Sequence, residues 1–404
     1  MKLARKSEVL VVGGGPVGLF AAISLMERGV GFQVVDKEWR GAAHSYALAL
    51  HPASLRLLDD VGACDSLLDQ GHRVERIAFY EGDERVAEMD LSKLGGRFPF
   101  VLVAPQSAVE SALAQRLKDR GTAVLWNHQL MTVQPEAVSV TARVARMEKT
   151  SGGYPIVHTE WAVAKEIDVT SSFLIGADGY HSLVRKALGA RFEHRAAPES
   201  FSVFEFSCGL DLGVEARVVF HDTTTSVVWP LHDRRARWSF EVPMSSPAER
   251  TLEGLRELIR ARAPWFPIPN ELLWATTALF ERRTVDRFGE GRVWLAGDAG
   301  HITGPVGAQS MNVGLREASD LASRIAAARE GDGARTAFDE YEAGRKREWG
   351  ALLGTDGGVR VRNDATEWAR KRADRILACV PASGAELDAL LAQVGLSLSA
   401  SAGS

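Results

Sequence analysis

A glycine cluster near the start of the chain has the spacing that backbone contact with a phosphate requires. Gly13, Gly15 and Gly18 fit the pattern GxGxxG, with Pro16 at the expected helix start. In this pattern the first glycine allows a tight turn, the second lets the backbone approach a diphosphate, and the third permits close helix–strand packing. The helix that follows offers free N–H groups and the positive end of its dipole. The motif therefore predicts a binding site for an anion.

An acidic residue stands where a ribose would be held. Asp36 closes the second predicted strand, roughly twenty residues beyond the glycines, where a carboxylate accepts hydrogen bonds from ribose hydroxyls. Lys37, next to it, is a further candidate cofactor contact. Glycines, helix and distal acid together predict an adenine dinucleotide, and they leave NAD and FAD open.

A second cluster lies far along the chain, in GRVWLAGDAGH and the following PVGAQSMN. A predicted strand ends in Gly297 and Asp298, which presents a carboxylate at the carboxyl end of a sheet. A loop containing Gly307 then leads into a helix near Asn312. Reduced flavin is an anion, so the backbone N–H groups of Met311 and Asn312 would stabilise it.

A third cluster, IGADGYHSLVR, is an apolar strand that breaks into a helix start at Asp178. By itself it is explained equally well as an ordinary strand-to-helix turn with Ser182 as the helix cap. Its position between the other two clusters favours a role in the same site.

The three motifs, in this order and at this separation, resemble those of the group A flavoprotein monooxygenases, the family of p-hydroxybenzoate hydroxylase. The likeness covers residues 8 to about 345. It implies FAD rather than NAD as the cofactor, with reduction by NADH or NADPH and with O2 as the oxidant. Because only one GxGxxG is present, the nicotinamide is expected to visit, reduce the flavin and leave.

The resemblance also implies roles for single residues. Asp36 would hold the adenosine ribose, and Asp298 would lie near the ribityl and diphosphate groups. Gln106 would meet FAD at a helix start, although a capping role in the core is the alternative. Asp178 would serve both FAD and the nicotinamide, with Arg185 supporting the turn. Pro305 would place its backbone beside the flavin and the substrate.

The chain departs from the family pattern at several positions. Tyr46 stands where an arginine is common, which removes a cation near the cofactor, and Arg40 is the candidate to replace it. Ser310, Gly304 and Glu317 stand where glycine, proline and aspartate are usual. We expect these changes to affect the positioning of the flavin rather than its binding.

The resemblance implies hydroxylation of a small aromatic or polyketide-like substrate through a flavin C4a-hydroperoxide. The protein must then exclude water and hold the ring within reach, so neither a catalytic triad nor a metal is required. Relatives that epoxidise, perform Baeyer–Villiger oxidation or reduce remain alternatives, as does a flavin-binding protein without oxygenase turnover.

Candidates for proton transfer and substrate contact lie in the predicted second lobe. His221 and His232, together with Pro305, are the catalytic candidates, since a phenolic substrate reacts faster as a phenolate. His72 and Tyr80 are weaker ones. Aromatic walls suit a flat apolar ligand, and plain core packing is the alternative. The predicted substrate contacts are Phe204, Phe206, Trp229 and Trp238.

Periodicity predicts the elements that position these residues. Val9 to Val12, Pro16 to Arg28 and Phe32 to Val35 read as strand, helix and strand, the start of a parallel doubly wound sheet. A hairpin within 74–91, a helix at 107–120 and a β-meander over 201–242 follow. The predicted class is α/β, a Rossmann-like FAD-binding domain interwoven with a β-sheet substrate domain, plus C-terminal helices.

The corresponding boundaries divide the chain into interleaved pieces. The FAD-binding domain is predicted to comprise 1–72, 103–190 and 285–350. The substrate domain comprises 73–102 and 191–284, followed by a helical segment at 351–396 and a flexible tail at 397–404.

Composition excludes several classes of protein. With 46% hydrophobic and 25% charged residues and a net charge of -4, the chain has no basic face for nucleic acid. Three widely spaced cysteines suggest neither disulfides nor zinc. The most apolar helix is too short to span a bilayer, so a cytoplasmic protein is expected.

Overall fold

The computed structural model describes residues 2–39, 49–152, 158–246, 248–329, 334–355 and 358–399. The strands are β1 (Lys6–Val12), β2 (Phe32–Val35), β3 (Ala49–Leu50), β4 (His72–Val74), β5 (Arg76–Glu81), β6 (Glu84–Asp90), β7 (Val101–Val103), β8 (His128–Pro135), β9 (Val140–Gly152), β10 (His158–Gly176), β11 (Phe192–His194), β12 (Glu199–Ser207), β13 (Glu215–His221), β14 (Thr224–Leu231), β15 (Arg235–Val242), β16 (Glu271–Phe280), β17 (Arg283–Val285), β18 (Gly289–Glu290), β19 (Val293–Leu295), β20 (His301–Ile302), β21 (Val359–Val361) and β22 (Leu396–Leu398). The helices are α1 (Pro16–Glu27), α2 (Pro52–Asp60), α3 (Asp65–Gln70), α4 (Gln106–Asp119), α5 (Leu183–Ala187), α6 (Leu252–Arg262), α7 (Gln309–Ala328), α8 (Ala334–Leu352), α9 (Glu367–Lys371), α10 (Ala373–Cys379) and α11 (Ala385–Ala392).

Four strands of the first sheet run parallel and end at one edge. The order is β18-β19-β10-β1-β2, and the hairpin partners β9 and β8 extend from β10. In the register, Val12 lies opposite both Val35 and Gly176, and Gly176 lies opposite Leu295. Each sequence motif begins where one of these strands ends. The sheet therefore brings the three motifs together, as the carboxyl edge of a doubly wound sheet does.

Helix α1 is apolar on all sides because protein surrounds it. Leu19, Phe20 and Ile23 are each at most 1% exposed, and the helix packs on α4 and α7. Its start also lies very close to the preceding loop. A Cβ atom at Gly18 would lie 2.0 Å from the carbonyl oxygen of Gly13, so only glycine fits there.

The second sheet covers the site from the other lobe. Its order is β16-β12-β15-β14-β13-β5-β6, antiparallel except for the parallel pair of β13 with β5. Helix α6 packs on one face, where Leu255 and Ile259 are buried. The C-terminal helices α10 and α11 pack on the other face through Ile376, Leu377 and Leu390. Both faces of this sheet are therefore buried.

The two lobes are interwoven, which confirms the predicted α/β class. The chain forms β5 and β6 of the second sheet before it returns for α4 and β8 to β10 of the first. Two small sheets, β3-β7-β4 and β11-β17-β20, lie where it crosses. None of the helices in the described ranges is long and apolar enough to cross a membrane.

The C-terminal segment is more ordered than expected, and besides packing on the second sheet it contacts the start of α7 in the first lobe. Helices α10 and α11 are separated by a break around Pro381. Strand β22 pairs antiparallel with β21, so Ser397 and Leu398 belong to a strand rather than to the expected flexible tail. Gln309 at the start of α7 donates from Nε2 to the carbonyl oxygens of Val380 and Ala382. The segment thus supports the loop that carries the late sequence motif.

The close approach at Gly18 predicts the effect of one methyl group. In Gly18→Ala we expect the free energy of unfolding to fall by about 1–3 kcal/mol, because the added atom overlaps the backbone of Gly13. Gly344→Ala is the matched control in helix α8, where a Cβ atom meets nothing within 4 Å. Because no clash occurs there, Gly344→Ala should raise the free energy of unfolding by about 1 kcal/mol. Urea denaturation measures both, and equal stability of the two variants would contradict the prediction.

Candidate active site

A cavity of about 680 Å³ opens at the carboxyl edge of the first sheet. Its walls include the first turns of α1, α4 and α7 and the residues that follow β10 and β19. The end of β16 and the residue after it, 278–281, close it from the second lobe. Three helix N-termini and two strand ends therefore face one space between the lobes.

The glycine motif forms a backbone cradle at this cavity. Gly13 has φ of 114°, and a Cβ atom there would lie 2.1 Å from the carbonyl oxygen of Ala177. At Gly15, by contrast, a Cβ atom would meet nothing within 4 Å, and the residue lines the cavity. The helix that starts at Pro16 has no side-chain cap. Open space in front of free helix N–H groups suits the diphosphate of a dinucleotide.

Asp36 is held beside the cradle by backbone hydrogen bonds. Its Oδ2 accepts from the N–H of Gly14 at 2.5 Å, and its Oδ1 accepts from the N–H of Glu38 at 2.7 Å. Lys37 is exposed next to it. Arg40 and Tyr46 lie outside the described residues, so their predicted roles stay predictions.

Asp178 caps the turn after β10. It accepts from the Ser182 hydroxyl at 2.5 Å and from the N–H groups of Leu183 at 2.7 Å and Val184 at 3.2 Å. Burial raises the pKa of Asp178, and these hydrogen bonds oppose the rise. Ser182 does cap α5, as the simpler interpretation proposes. The neighbouring Gly179 lines the cavity, so the turn serves the helix and the site together.

Arg185 joins two of the strand-end loops. Its Nη1 donates to the carbonyl oxygen of Ala299 at 2.9 Å, and its Nη2 donates to that of Tyr180 at 2.6 Å. The guanidinium also lies 4.0 Å from the ring centroid of Phe192. One planar cation thereby sets the distance between the turn after β10 and the loop after β19.

Asp298 lines the cavity and is exposed there. Partial desolvation by the surrounding protein raises the pKa of its carboxyl group, His301 opposes the rise, and the charge of Glu317 adds to it. The preceding Gly297 has φ of 64°, and a Cβ atom there would lie 2.9 Å from Val17. This turn aims the Asp298 side chain at the cofactor space.

The sequence analysis noted Glu317 only as a departure from the family pattern, but the structure gives it a positioning role. It is fully buried. Its carboxylate accepts from Gly297 N–H at 2.8 Å, from His301 Nε2 at 2.8 Å and from Trp349 Nε1 at 3.0 Å. Burial by itself would raise the pKa of Glu317, and the interactions with His301, Arg345 and Gly297 lower it overall. An anion in the core thus holds the loop that presents Asp298.

Side chains from the first turn of α7 hold the loop that precedes the helix. The Ser310 hydroxyl accepts from Thr303 N–H at 3.1 Å. Asn312 Nδ2 donates to the carbonyl oxygens of Ala49 at 2.8 Å and Ala308 at 2.7 Å. Ala308 has φ of 51°, unusual outside glycine. Ser310 and Met311 line the cavity, whereas the Asn312 side chain is committed to holding the loop.

His51 is a second positioning residue that the sequence analysis missed. It is fully buried. Its N–H donates to Asn312 Oδ1 at 2.8 Å, and its Nε2 lies 3.0 Å from the carbonyl oxygen of Gly307. Burial lowers the pKa of His51 to about 3, so the ring is neutral and donates from Nε2. Its Nδ1 is buried without a hydrogen-bond partner. No local pattern marks this residue, because its partners are distant in the chain.

Gln106 and Pro305 lie where the sequence analysis expects them. Gln106 lines the cavity at the first residue of α4 and donates to Glu110 Oε1 at 2.7 Å. Pro305 lines the cavity as well, and Gly307 packs against the carbonyl oxygen of Ala378. These positions allow the predicted cofactor contacts, which stay predictions.

The aromatic substrate candidates lie away from the cavity. Phe204, Phe206 and Trp238 are all 0% exposed and pack with α6 on the far face of the second sheet. Trp229 is on the near face but is buried in the core cluster that also contains Val306. The described residues that line the cavity include none of the four. This part of the prediction is corrected, because both faces of the sheet are covered and alternation does not tell them apart.

The histidine candidates are also misplaced. His221 ends β13 with its side chain 40% exposed and its Nδ1 3.6 Å from Asp222. His232 Nε2 contacts the carbonyl oxygen of Gly71 at 2.8 Å, and its ring meets that of His72 edge to face. Neither is among the described residues that line the cavity, because strand-end turns place them at the rim of the sheet. The catalytic assignment of both is corrected.

The second-lobe residues that do reach the cavity lie on β16 and just after it. Leu279, Phe280 and Glu281 line it, and Glu281 Oε2 accepts from the Tyr180 hydroxyl at 2.7 Å. In the sequence this strand is one more apolar stretch. Only its pairing with β12 brings it against the first lobe.

The buried His51 predicts a pH dependence of stability. Its pKa is lowered from 6.5 to about 3 in the folded protein, so between these values only the unfolded chain takes up the proton. Stability is therefore present above the unfolded-state pKa and is lost as the pH falls, by up to about 1.4 kcal/mol per pH unit. In His51→Gln, which can still donate to Gly307, we expect a shallower loss between about pH 6 and pH 4.

Urea denaturation at several pH values measures this slope. His221→Gln controls for the exchange itself at an exposed position. A slope in His51→Gln as steep as that of the wild type would rule out the assignment to His51.

Comparison with known proteins agrees with this geometry. Residues 6–353 match the family model described as FAD binding domain. The aromatic compound monooxygenase YhjG of Bacillus subtilis (strain 168), itself described as uncharacterized, is 30% identical over 352 residues, covering 84% of this chain and 65% of that protein. The 6-methylpretetramide 4-monooxygenase of Streptomyces rimosus is 27% identical, covering 86% of this chain and 60% of that protein. This chain therefore spans about 60 to 65% of the length of these relatives.

A solved structure shares the fold over nearly the whole chain. The p-nitrophenol 4-monooxygenase PnpA from Pseudomonas putida DLL-E4 superposes with a TM-score of 0.73 at 22% identity, covering 93% of this chain and 94% of that chain. With a family model that spans most of the sequence and motifs that converge on one cradle, this chain belongs to the FAD-binding domain family.

Proposed function

We propose that this protein is an FAD-dependent monooxygenase that hydroxylates a small aromatic substrate, with NADH or NADPH as reductant and O2 as oxidant. The observation that carries the proposal is the convergence of three motifs on one cavity between two lobes. The relatives named for aromatic and polyketide-type oxygenation support the same reaction class.

The residues present fit FAD. The open space at Gly15 and the uncapped start of α1 suit the diphosphate, and Asp36 lies beside them for the ribose. The first turn of α7, with Ser310 and Met311, faces the same cavity and would stabilise negative charge on the reduced ring. When bound there, FAD would supply the redox chemistry, that is, hydride acceptance from the nicotinamide and transfer of one oxygen atom of O2 to the substrate.

The protein's own contribution is to position the reactants and exclude water. The wall formed by Ala278 to Phe280 and the loop through Pro305 enclose the space between the lobes. This enclosure would exclude water from the site during oxygen transfer. Three buried residues act indirectly, as positioning residues, because they hold the loops of the site rather than face the cavity: Arg185, Glu317 and His51.

The proposal includes a reducing compartment such as the cytoplasm. Cys64, Cys208 and Cys379 are all buried free thiols, and burial raises the pKa of Cys64 to about 11 and of Cys379 to about 12. Such thiols are unreactive and need no disulfide partner.

Substrate-dependent consumption of nicotinamide tests the reaction. With FAD-loaded protein, we expect phenolic compounds to stimulate oxidation of NADH or NADPH and one atom of isotopically labelled O2 to appear in the product. Mass spectrometry of the product measures the label. A yellow protein that neither nicotinamide reduces, with or without phenols, would exclude oxygenase turnover and leave a flavin-binding protein.

A single methyl group at the cradle tests the cofactor assignment. Gly15→Ala places a Cβ atom in open space, so folding stability should stay within about 0.5 kcal/mol of the wild type. If the diphosphate occupies that space, FAD affinity should fall at least about tenfold, equivalent to about 1.4 kcal/mol. Flavin fluorescence titration measures the affinity, with Gly344→Ala as the control. Unchanged affinity in Gly15→Ala would place the diphosphate elsewhere.

A further inference from the structure

A second cavity adjoins the first on the side of the substrate lobe. Its volume is about 220 Å³, and Thr303 and Gly304 line both cavities. The two spaces therefore share one wall, the segment just before Pro305. A cavity of about 150 Å³ is known to hold one benzene molecule, so the smaller cavity has room for one substituted aromatic ring.

Charged side chains line this smaller cavity. Three carboxylates and two guanidinium groups from different elements face it: Glu199 of β12, Glu241 of β15, Arg282 before β17, and Asp374 and Arg375 of α10. The surplus of carboxylates favours a ligand that donates hydrogen bonds over one that carries its own carboxylate. A neutral phenol meets that requirement.

Glu199 is the acid nearest the boundary with the flavin cavity. Its Oε1 lies 2.7 Å from Arg282 Nη2. Its Oε2 points toward the shared segment, where a Cβ atom at Gly304 would lie 3.2 Å from it. Because residue 304 is glycine, where the family commonly has proline, the carboxylate can approach the boundary without crowding.

The groups around Glu199 raise its pKa, which favours its acceptance of a proton. Burial raises the pKa of Glu199, Arg282 opposes the rise, and Glu241 adds to it. From α10, Asp374, Arg375 and the buried thiol of Cys379 face the same cavity. A carboxylate with a raised pKa is a better match to a phenol than an ordinary one.

We propose that the smaller cavity binds a single-ring phenol and that Glu199 accepts the proton of its hydroxyl group during hydroxylation. The phenol O–H bond breaks, its electron pair stays on the phenol oxygen, and the proton forms an O–H bond with Oε2 of Glu199. Arg282 then neighbours the new phenolate in place of the ionised carboxylate, so the net charge of the cavity is unchanged. The inference rests on the proposed monooxygenase function, which supplies the oxygen atom.

Two substitutions on the same strand test the role of Glu199. Glu199→Gln removes the proton acceptor, and Glu205→Gln is the matched control, since Glu205 on β12 is also part-buried and paired with an arginine, Arg237 at 2.8 Å. With FAD-loaded protein and catechol as the probe, which is protonated in neutral solution, we expect Glu199→Gln to lower kcat about 100-fold or more at neutral pH. Glu205→Gln should stay within about twofold of the wild type.

The pH profile separates a catalytic role from a structural one. The loss in Glu199→Gln should shrink as the pH rises, because solvent then supplies the phenolate. A deficit that is equal at every pH, or kcat equal to that of the wild type, would overturn the proposal.

If Glu199→Gln fails to retain FAD, Glu199→Asp is the deciding variant. It keeps a carboxylate, but one methylene farther away, so kcat should fall while the wild-type pH profile remains. A changed profile in Glu199→Asp would overturn the proposal.

The number of rings in the phenol probe distinguishes a failure of this inference from a failure of the proposed monooxygenase function. We expect single-ring phenols to stimulate nicotinamide oxidation and a three-ring phenol, 1,8-dihydroxyanthraquinone, to fail. Hydroxylation of the three-ring probe with no response to single rings would overturn the single-ring cavity and leave the monooxygenase function intact. No response to either probe by FAD-loaded protein would refute the monooxygenase function, and the inference with it.

Discussion

Hydrogen bonding between four parallel strands is the constraint on which the site depends. Val12, Val35, Gly176 and Leu295 lie side by side at the ends of β1, β2, β10 and β19. Parallel strands need long crossover connections, so residues that meet at this edge come from distant parts of the chain. The shared register places the first residue of each motif at the same edge of the sheet.

Buried polar groups then fix the loops that leave this edge. Glu317 accepts three hydrogen bonds inside the core, Asn312 and His51 close the segment before α7, and Arg185 spans two loops. Each group would cost free energy if left without its partner in a low-dielectric interior. Alternative loop conformations are disfavoured for that reason. A cofactor thus meets a cradle that is already formed, which lowers the ordering cost of binding.

The second lobe shows where pattern reasoning reaches its limit. Alternation along β12 and β15 correctly separates two faces, but both faces are buried, one under α6 and one under the C-terminal helices. The aromatic residues chosen as substrate contacts face α6. The opposite face carries Glu199 and Glu241 among apolar neighbours, and charged residues within a buried surface are the stronger sign of function.

The sequence by itself determined the family, the order of the elements and the backbone cradle. These features depend on neighbouring residues: a glycine with φ of 114° at Gly13 and a proline at a helix start. The strand at Phe32–Val35 matches its predicted bounds. Only the tertiary structure decided which partner each buried polar group finds and which sheet face meets the cavity. His51 and Asn312 are 261 residues apart, and no local propensity encodes a contact that exists only after the two lobes have packed.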